Sequence, residues 1–295
     1  MSVAIYFGKI NLISSQIEEV LSNSQDLRNV LSKVLYALND DISYTDTITK
    51  YVDNEPIMEE IEYSLSIKEK NENTIHGYIH KKSYIYYKDF NKEKKEIIKQ
   101  KIKNTESSEF FYDIYQEMVG YQRTQRFGYK EFLHAFELIL NTACKKVNLN
   151  YTFTVNQFTE GLNIDDLKNE LFRQNNIKKM KIKYQIPNPD SKSLQAIKTD
   201  PEKTINDFKS ANLASKYVTY QSFSDKSLNI DSALIEDELQ NINNIHSSIS
   251  AEKALRNGYV EVETTNAAGI TYSTADTHPV IIHVDNIVEI KNAVA

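Results

Sequence analysis

Residues 109–143, EFFYDIYQEMVGYQRTQRFGYKEFLHAFELILNTA, decide how this chain is read. The segment FFYDIYQEMVGY is dense in aromatic and β-branched residues and predicts a single buried strand, with Gly120 opening the turn that follows. From Tyr129 the period changes. Phe132, Phe136, Ile139 and Ala143 recur at i, i+4, i+7 and i+11, which is one face of an α-helix. Between strand and helix, QRTQRFG places Arg123 and Arg126 beside a helix N-terminus, a position that attracts phosphate. Lys130 adds a third cation in the first helical turn. Phe127 is expected in the core. Tyr121 and Tyr129 either stack on bases or close the core, and one of the two is expected to be exposed.

Toward the N-terminus, VAIYFGKI reads as a strand and SQDLRNVLSKVLYAL as an amphipathic helix. Leu27, Val30, Leu31, Val34, Leu35 and Leu38 form its apolar stripe, and Ser24 or Asp26 is the candidate cap. Ile61, Tyr63, Leu65 and Ile67 alternate with polar residues, the signature of a half-buried strand. TIHGYIHKKSYIYYK continues as antiparallel strand sequence. NKEKKEIIKQKIKN fits either a solvated helix or an exposed ribbon. Toward the C-terminus come a strand (NYTFTVNQF), a helix capped at Asn163 and a strand in IKKMKIKYQIPNPD that ends at PNP. Helices follow around 201–211 and 231–255. A hairpin turning at Asn266 and Gly269 and a closing strand in PVIIHVDNIVEI complete the chain. The sum is α+β: mixed, mostly antiparallel sheet with packed helices. It is expected as a single unit, with a finer division into an N-terminal lobe (1–150) and a C-terminal lobe (151–295).

The chain has 295 residues, 40% hydrophobic and 26% charged, which suits a globular protein with a real core. Its opening has no basic segment followed by a sustained apolar run, so no membrane insertion and a cytoplasmic location are expected. The single cysteine, Cys144, follows Phe132, Phe136 and Ile139 in pattern and reads as buried filler. The net charge of −6 is unevenly spread. Residues 68–103 carry eleven lysines against five acids, residues 168–192 seven basic residues against two acids, and residues 231–295 ten acids against three bases. A basic face and an acidic face are one reading of this asymmetry; a lysine-rich composition is the other.

Glycines are too scattered for a phosphate-cradling loop, and no glycine elbow holds a serine nucleophile. His76 and His80 share a strand face but stand ~13 Å apart, too far to hold one zinc. His278 and His283 flank a strand on opposite sides. All four are read as structural, and neither a metal nor a cofactor is expected. In the basic region, Glu93 and Lys95 form the only tidy Glu-x-Lys of the kind a metal-dependent nuclease uses, in surroundings too polar for a central strand. In IKKMKIKYQI, Met180, Ile182, Tyr184 and Ile186 point one way, and Lys179, Lys181 and Lys183 the other. Such a row, spaced ~6.5–7 Å, can neutralise phosphates without reading sequence. It can equally protect an edge strand from aggregation.

The strand FFYDIYQEMVGY, the connection QRTQRFG and the helix YKEFLHAFELIL resemble a family of bacterial, phage-associated proteins. IKKMKIKYQIPNPDS and NGYVEVETTNAAGITYSTAD extend the likeness over most of the chain. In layout the family is similar to the RexA phage-exclusion proteins and, more distantly, to the RdgC recombination-associated proteins. The resemblance implies an accessory role in phage defence or abortive infection, sequence-independent binding of duplex DNA, and a homodimer. It carries no catalytic residues. The first expectation is therefore a non-enzymatic DNA-binding accessory protein using Arg123, Arg126, Lys130, Lys179, Lys181 and Lys183. A protein-interaction sensor or regulatory subunit recognising a phage or toxin protein is the second, and a metal-dependent nuclease the third.

Overall fold

A computed structural model describes residues 2–21, 26–52, 54–91, 93, 95–187, 196–197 and 203–285. The large sheet is built from β1 (Val3–Leu12), β2 (Ser43–Val52), β3 (Glu55–Lys70), β4 (Thr74–Asn91), β5 (Glu96–Asp113), β6 (Met118–Gln122), β7 (Phe153–Gln157) and β12 (Ile281–Val284). Its order is β12-β1-β6-β5-β4-β3-β2, and β7 lies along the second half of β1. A second sheet has the order β11-β10-β8-β9, from β8 (Ile177–Gln185), β9 (Ser215–Gln221), β10 (Val260–Asn266) and β11 (Thr271–Ser273). Every ladder is antiparallel. The fold is α+β.

Helices α1 (Gln16–Leu21) and α2 (Leu27–Ala37) follow β1, and α3 (Tyr129–Lys146) follows β6. Asp26 is the cap of α2, accepting from the Arg28 N–H at 3.0 Å, while Ser24 lies outside the described residues. The predicted stripes of α2 and α3 are buried. Phe132 stacks on Tyr121 of β6 at 4.1 Å between ring centroids, and Phe136 meets Phe110 and Tyr112 of β5 edge-on. Beyond β7 come α4 (Ile164–Arg173), capped by Asn163 as expected, then α5 (Lys203–Ser210), α6 (Ala233–Gln240) and α7 (Ala251–Arg256). Buried residues of both sheets join in one apolar cluster. A smaller cluster of Ile5, Phe7, Phe111 and Val284 covers a corner of the opposite face of the large sheet.

Three local expectations are corrected. FFYDIYQEMVGY is two strands, not one: the Asp113 carboxylate accepts the N–H groups of Tyr115 and Gln116 and turns the chain between β5 and β6. Gly120 is therefore not at a turn but inside β6, opposite Phe7 and Phe111. The region 231–255 is two helices, because a turn reverses the chain between His246 and Ile249 and Ser250 caps a new start. NKEKKEIIKQKIKN, which the sequence left open, is the end of a long hairpin in β4 and β5.

Candidate nucleic-acid interface

Arg123 and Arg126 are exposed, as expected, in the connection between β6 and α3. Ser108 of β5 donates to the Gln122 carbonyl (2.6 Å), and Lys81 of β4 donates to the Arg126 carbonyl (3.0 Å). The Lys81 ammonium also pairs with Glu131 in the first turn of α3 at 2.7 Å. These bonds fasten the arginine turn to the β4–β5 hairpin. Tyr121 and Phe127 are fully buried, so neither is a stacking platform. Tyr129 is half-buried, and its hydroxyl donates to Asp276. Burial, and then Asp276, raise its pKa.

The lysine row of β8 has the predicted alternation: Met180, Ile182 and Tyr184 are buried, and the lysines occupy the other face. Its setting differs from the edge-strand alternative, because β8 has neighbours on both sides. Lys181 stands opposite Glu263 and Lys183 opposite Glu261, both on β10. On β9, Tyr217 lies under the Lys181 ammonium at 4.5 Å from its ring centroid. Lys130 pairs with Asp276 at 2.6 Å. Glu137 of α3 has its pKa raised by burial, an effect opposed in part by the Val155 N–H that donates to it and then by His134 and Lys183. Cross-strand carboxylates thus stand opposite Lys181 and Lys183 in the row expected to bind phosphate, and Lys130 is paired with an acid as well.

The structure assembles a different cationic surface. Ladder pairing of β3 with β4 ends at Glu62 and Lys82, and that of β5 with β6 begins only at Phe110. Residues 83–91 and 96–104 therefore pair in the ladder only with each other, over ~30 Å, while the end of the β2–β3 hairpin lies beside them and meets them through side chains. Where β4 leaves β3, side chains take over from backbone partners. The Tyr84 N–H donates to Glu59 at 2.8 Å, and its carbonyl accepts from Lys50 at 3.4 Å. Lys50 and Glu59 are themselves 3.3 Å apart, with the Glu59 side chain 1% exposed.

Residues directly opposite in an antiparallel pair share a face. The register puts Lys82, Tyr84, Tyr86, Lys88 and Phe90 of β4 with Thr105, Lys103, Lys101, Lys99 and Ile97 of β5. That face carries five lysines and no acid of either ribbon strand. The reverse face carries Asp89 and Glu96 among Ser83, Ile85, Tyr87, Gln100 and Ile102. Acids from β3 reach this face: Glu62 pairs with Lys82 at 2.7 Å, Glu55 pairs with Lys99 at 3.2 Å, and Glu60 lines a cleft with Lys82, Tyr84 and Lys103. The Lys101 ammonium lies 4.5 Å from the Tyr84 ring centroid, presenting an aromatic–cation surface. The local excess of lysine over 68–103 was legible; that the register would sort lysines from acids by face was not. Their spacing of two along KQKIK was the available signal.

Buried His76 meets Glu109 at 2.9 Å, and His80 meets the Ser107 hydroxyl. Glu93 and Lys95 sit in the turn at the ribbon's end, Lys95 at φ 51°, away from any central strand. Among the described residues, no group of three or more His, Cys, Asp or Glu side chains could hold a metal ion. Cys144 is buried, and burial pushes its thiol up to about 12. No helix of the described residues is long and apolar enough to cross a membrane.

The profile of one family, described as a domain of unknown function (DUF4747), matches residues 58–292. The chain belongs to the DUF4747 family. The match begins within β3 and takes in the ribbon, the arginine turn and the β8 lysine row, so all three belong to the family's domain. No curated protein and no solved structure matches the chain.

Proposed function

We propose that this DUF4747 protein is a non-enzymatic, sequence-independent binder of duplex DNA that grips phosphates with the lysine face of the β4–β5 ribbon. The sorting of charge carries this reading: lysines on one face, Asp89 and Glu96 on the other. A two-stranded ribbon fits the width of a DNA groove. Lysines neutralise phosphate, and the ribbon's lysine face offers no Arg, Asn or Gln to read base edges. A net charge of −6 is no obstacle, because salt screens distant acids beyond ~8–10 Å. The resemblance to phage-exclusion proteins supports an accessory role in phage defence, and the exposed arginines at the ribbon's root extend the cationic surface.

Titration of two labelled duplexes of unrelated sequence tests the proposal. Affinities should agree within about threefold and fall with a log–log salt slope near −4.5, or about 500-fold between 50 and 200 mM salt, for five phosphates neutralised by the lysine face alone, and steeper by about 2 where the arginine pair adds two more. Absence of binding at 50 mM salt would remove the reading. A second reading, a sensor that docks a protein partner, is favoured by Tyr87 and Ile102, 44% and 56% exposed on the reverse face of the ribbon. Nuclease-resistant co-purification of one partner, lost on Tyr87→Ser with Ile102→Ser, would support it.

A further inference from the structure

Phe90 and Ile97 face each other across the last rungs of the ribbon and are 56% and 69% exposed. Lys88 and Lys99 form the next same-face pair behind them. On the reverse side, the Tyr87 hydroxyl donates to Gln100 at 2.9 Å, and Gln100 donates to Asp89 at 3.4 Å. These contacts brace the far end of the hairpin, where the rungs have no third strand in the ladder. A phenyl and a branched aliphatic group held in water at the free end of a two-stranded ribbon are a solubility liability. Their lysine neighbours specify what could cover them: a polyanion with apolar surface behind its charges.

We infer that Phe90 and Ile97 form a wedge that enters between base pairs of bound duplex DNA, unstacks one step and bends the helix. The inference rests on the DNA-binding reading above. Duplex DNA presents phosphates outside and apolar base planes within, and apolar wedges on minor-groove proteins unstack base steps in this way, bending DNA by about 20–90°. An anionic bilayer also combines charge with apolar depth. Lysines stand at the tip too, Lys95 among them, but the row continues back along one face from Lys99 to Lys103, ~13 Å, which tracks an elongated polyanion rather than a bilayer met end-on.

The test uses the full chain and a duplex of about 25 base pairs carrying end-to-end fluorophores and an internal 2-aminopurine. The native protein should raise energy transfer between the ends and the 2-aminopurine emission together. Phe90→Ala with Ile97→Ala should keep affinity within about threefold and the salt slope unchanged, yet lose both signals. Phe90→Leu should retain them. Both side chains are exposed, so an unchanged circular dichroism melt is expected for all variants. Salt-dependent binding by the native protein without either signal, or full signals from the double alanine variant, overturns the wedge and leaves DNA binding standing. No duplex binding at 50 mM salt overturns both. Sedimentation with phosphatidylserine-containing vesicles, lost on the same double substitution while duplex is not bent, would replace DNA with a membrane.

Discussion

Two lysine rows in this molecule obey the same rule and end in opposite surroundings. Lys179, Lys181 and Lys183 of β8, and Lys99, Lys101 and Lys103 of β5, each alternate at period two and each present ammonium groups ~6.5–7 Å apart. Around the first row, β10 supplies Glu261 and Glu263 directly across the ladder. Around the second, β4 supplies Tyr84, Tyr86 and another lysine, Lys88. A strand's own sequence sets the spacing of its charges; its neighbours set whether those charges act on anything outside. Strand pairing sharpens the contrast. The β8 row belongs to a strand with ladder partners on both sides, whereas β5 along its row pairs only with β4, and β3 reaches it through a side chain, Glu55 at Lys99.

The strongest way to break this comparison is charge reversal on one row and truncation on the other. Lys99→Glu, Lys101→Glu and Lys103→Glu together should weaken duplex binding more than about 100-fold at 50 mM salt. Lys179→Ala, Lys181→Ala and Lys183→Ala should change it less than about threefold. The reverse ranking in a fluorescence anisotropy titration would move the interface to the small sheet.

The ribbon depends on the Glu59–Lys50 plug at its root. Glu59→Ala leaves the Tyr84 N–H without its acceptor at a part-buried position, which costs about 1 kcal/mol. Amide hydrogen exchange should then accelerate over residues 83–91 and 96–104 and stay unchanged in β8. Uniform acceleration across the molecule would show that the ribbon is not a separate unit of stability.

Arg123→Ala with Arg126→Ala tests whether the turn joins the ribbon. Folding should change by no more than about 0.5 kcal/mol, since both side chains are exposed. Loss of two phosphate contacts should flatten the salt slope by about 2. An unchanged slope would leave the turn as a connection only.

The smallest effect is the most specific. If Glu261 and Glu263 mask the β8 row, then Glu261→Gln with Glu263→Gln should unmask it, strengthening duplex binding by about two- to fourfold at low salt. No change at 20 mM salt would mean that the row is kept from DNA by shape rather than by charge.

Much of this fold was legible, for identifiable reasons. The stripes of α2 and α3 repeat often enough to fix both type and buried face, and Asp26 and Asn163 announce helix starts through their own side chains. The reversal at Asp113 was hidden because an aromatic run reads alike whether it is one strand or two. The candidate residues Arg123 and Arg126 are exposed, as the sequence led one to expect, but Lys130 was assigned without its partner Asp276, which lies 146 residues away. The β5 row was passed over because its lysines stand in a segment whose helix and ribbon readings were balanced.

The sequence alone determined local period, caps, turns and the spacing of charges along each strand, because these depend on neighbours a few residues apart. Only the tertiary structure decided which strand lies beside which. It set Glu261 against Lys183 and Lys101 against Tyr86, pairings made across long stretches of chain by ladder register. Electrostatic neutralisation acts over a few ångströms of space rather than along the sequence. The choice of which lysine row remains available to a polyanion therefore could not be made before the strands were paired.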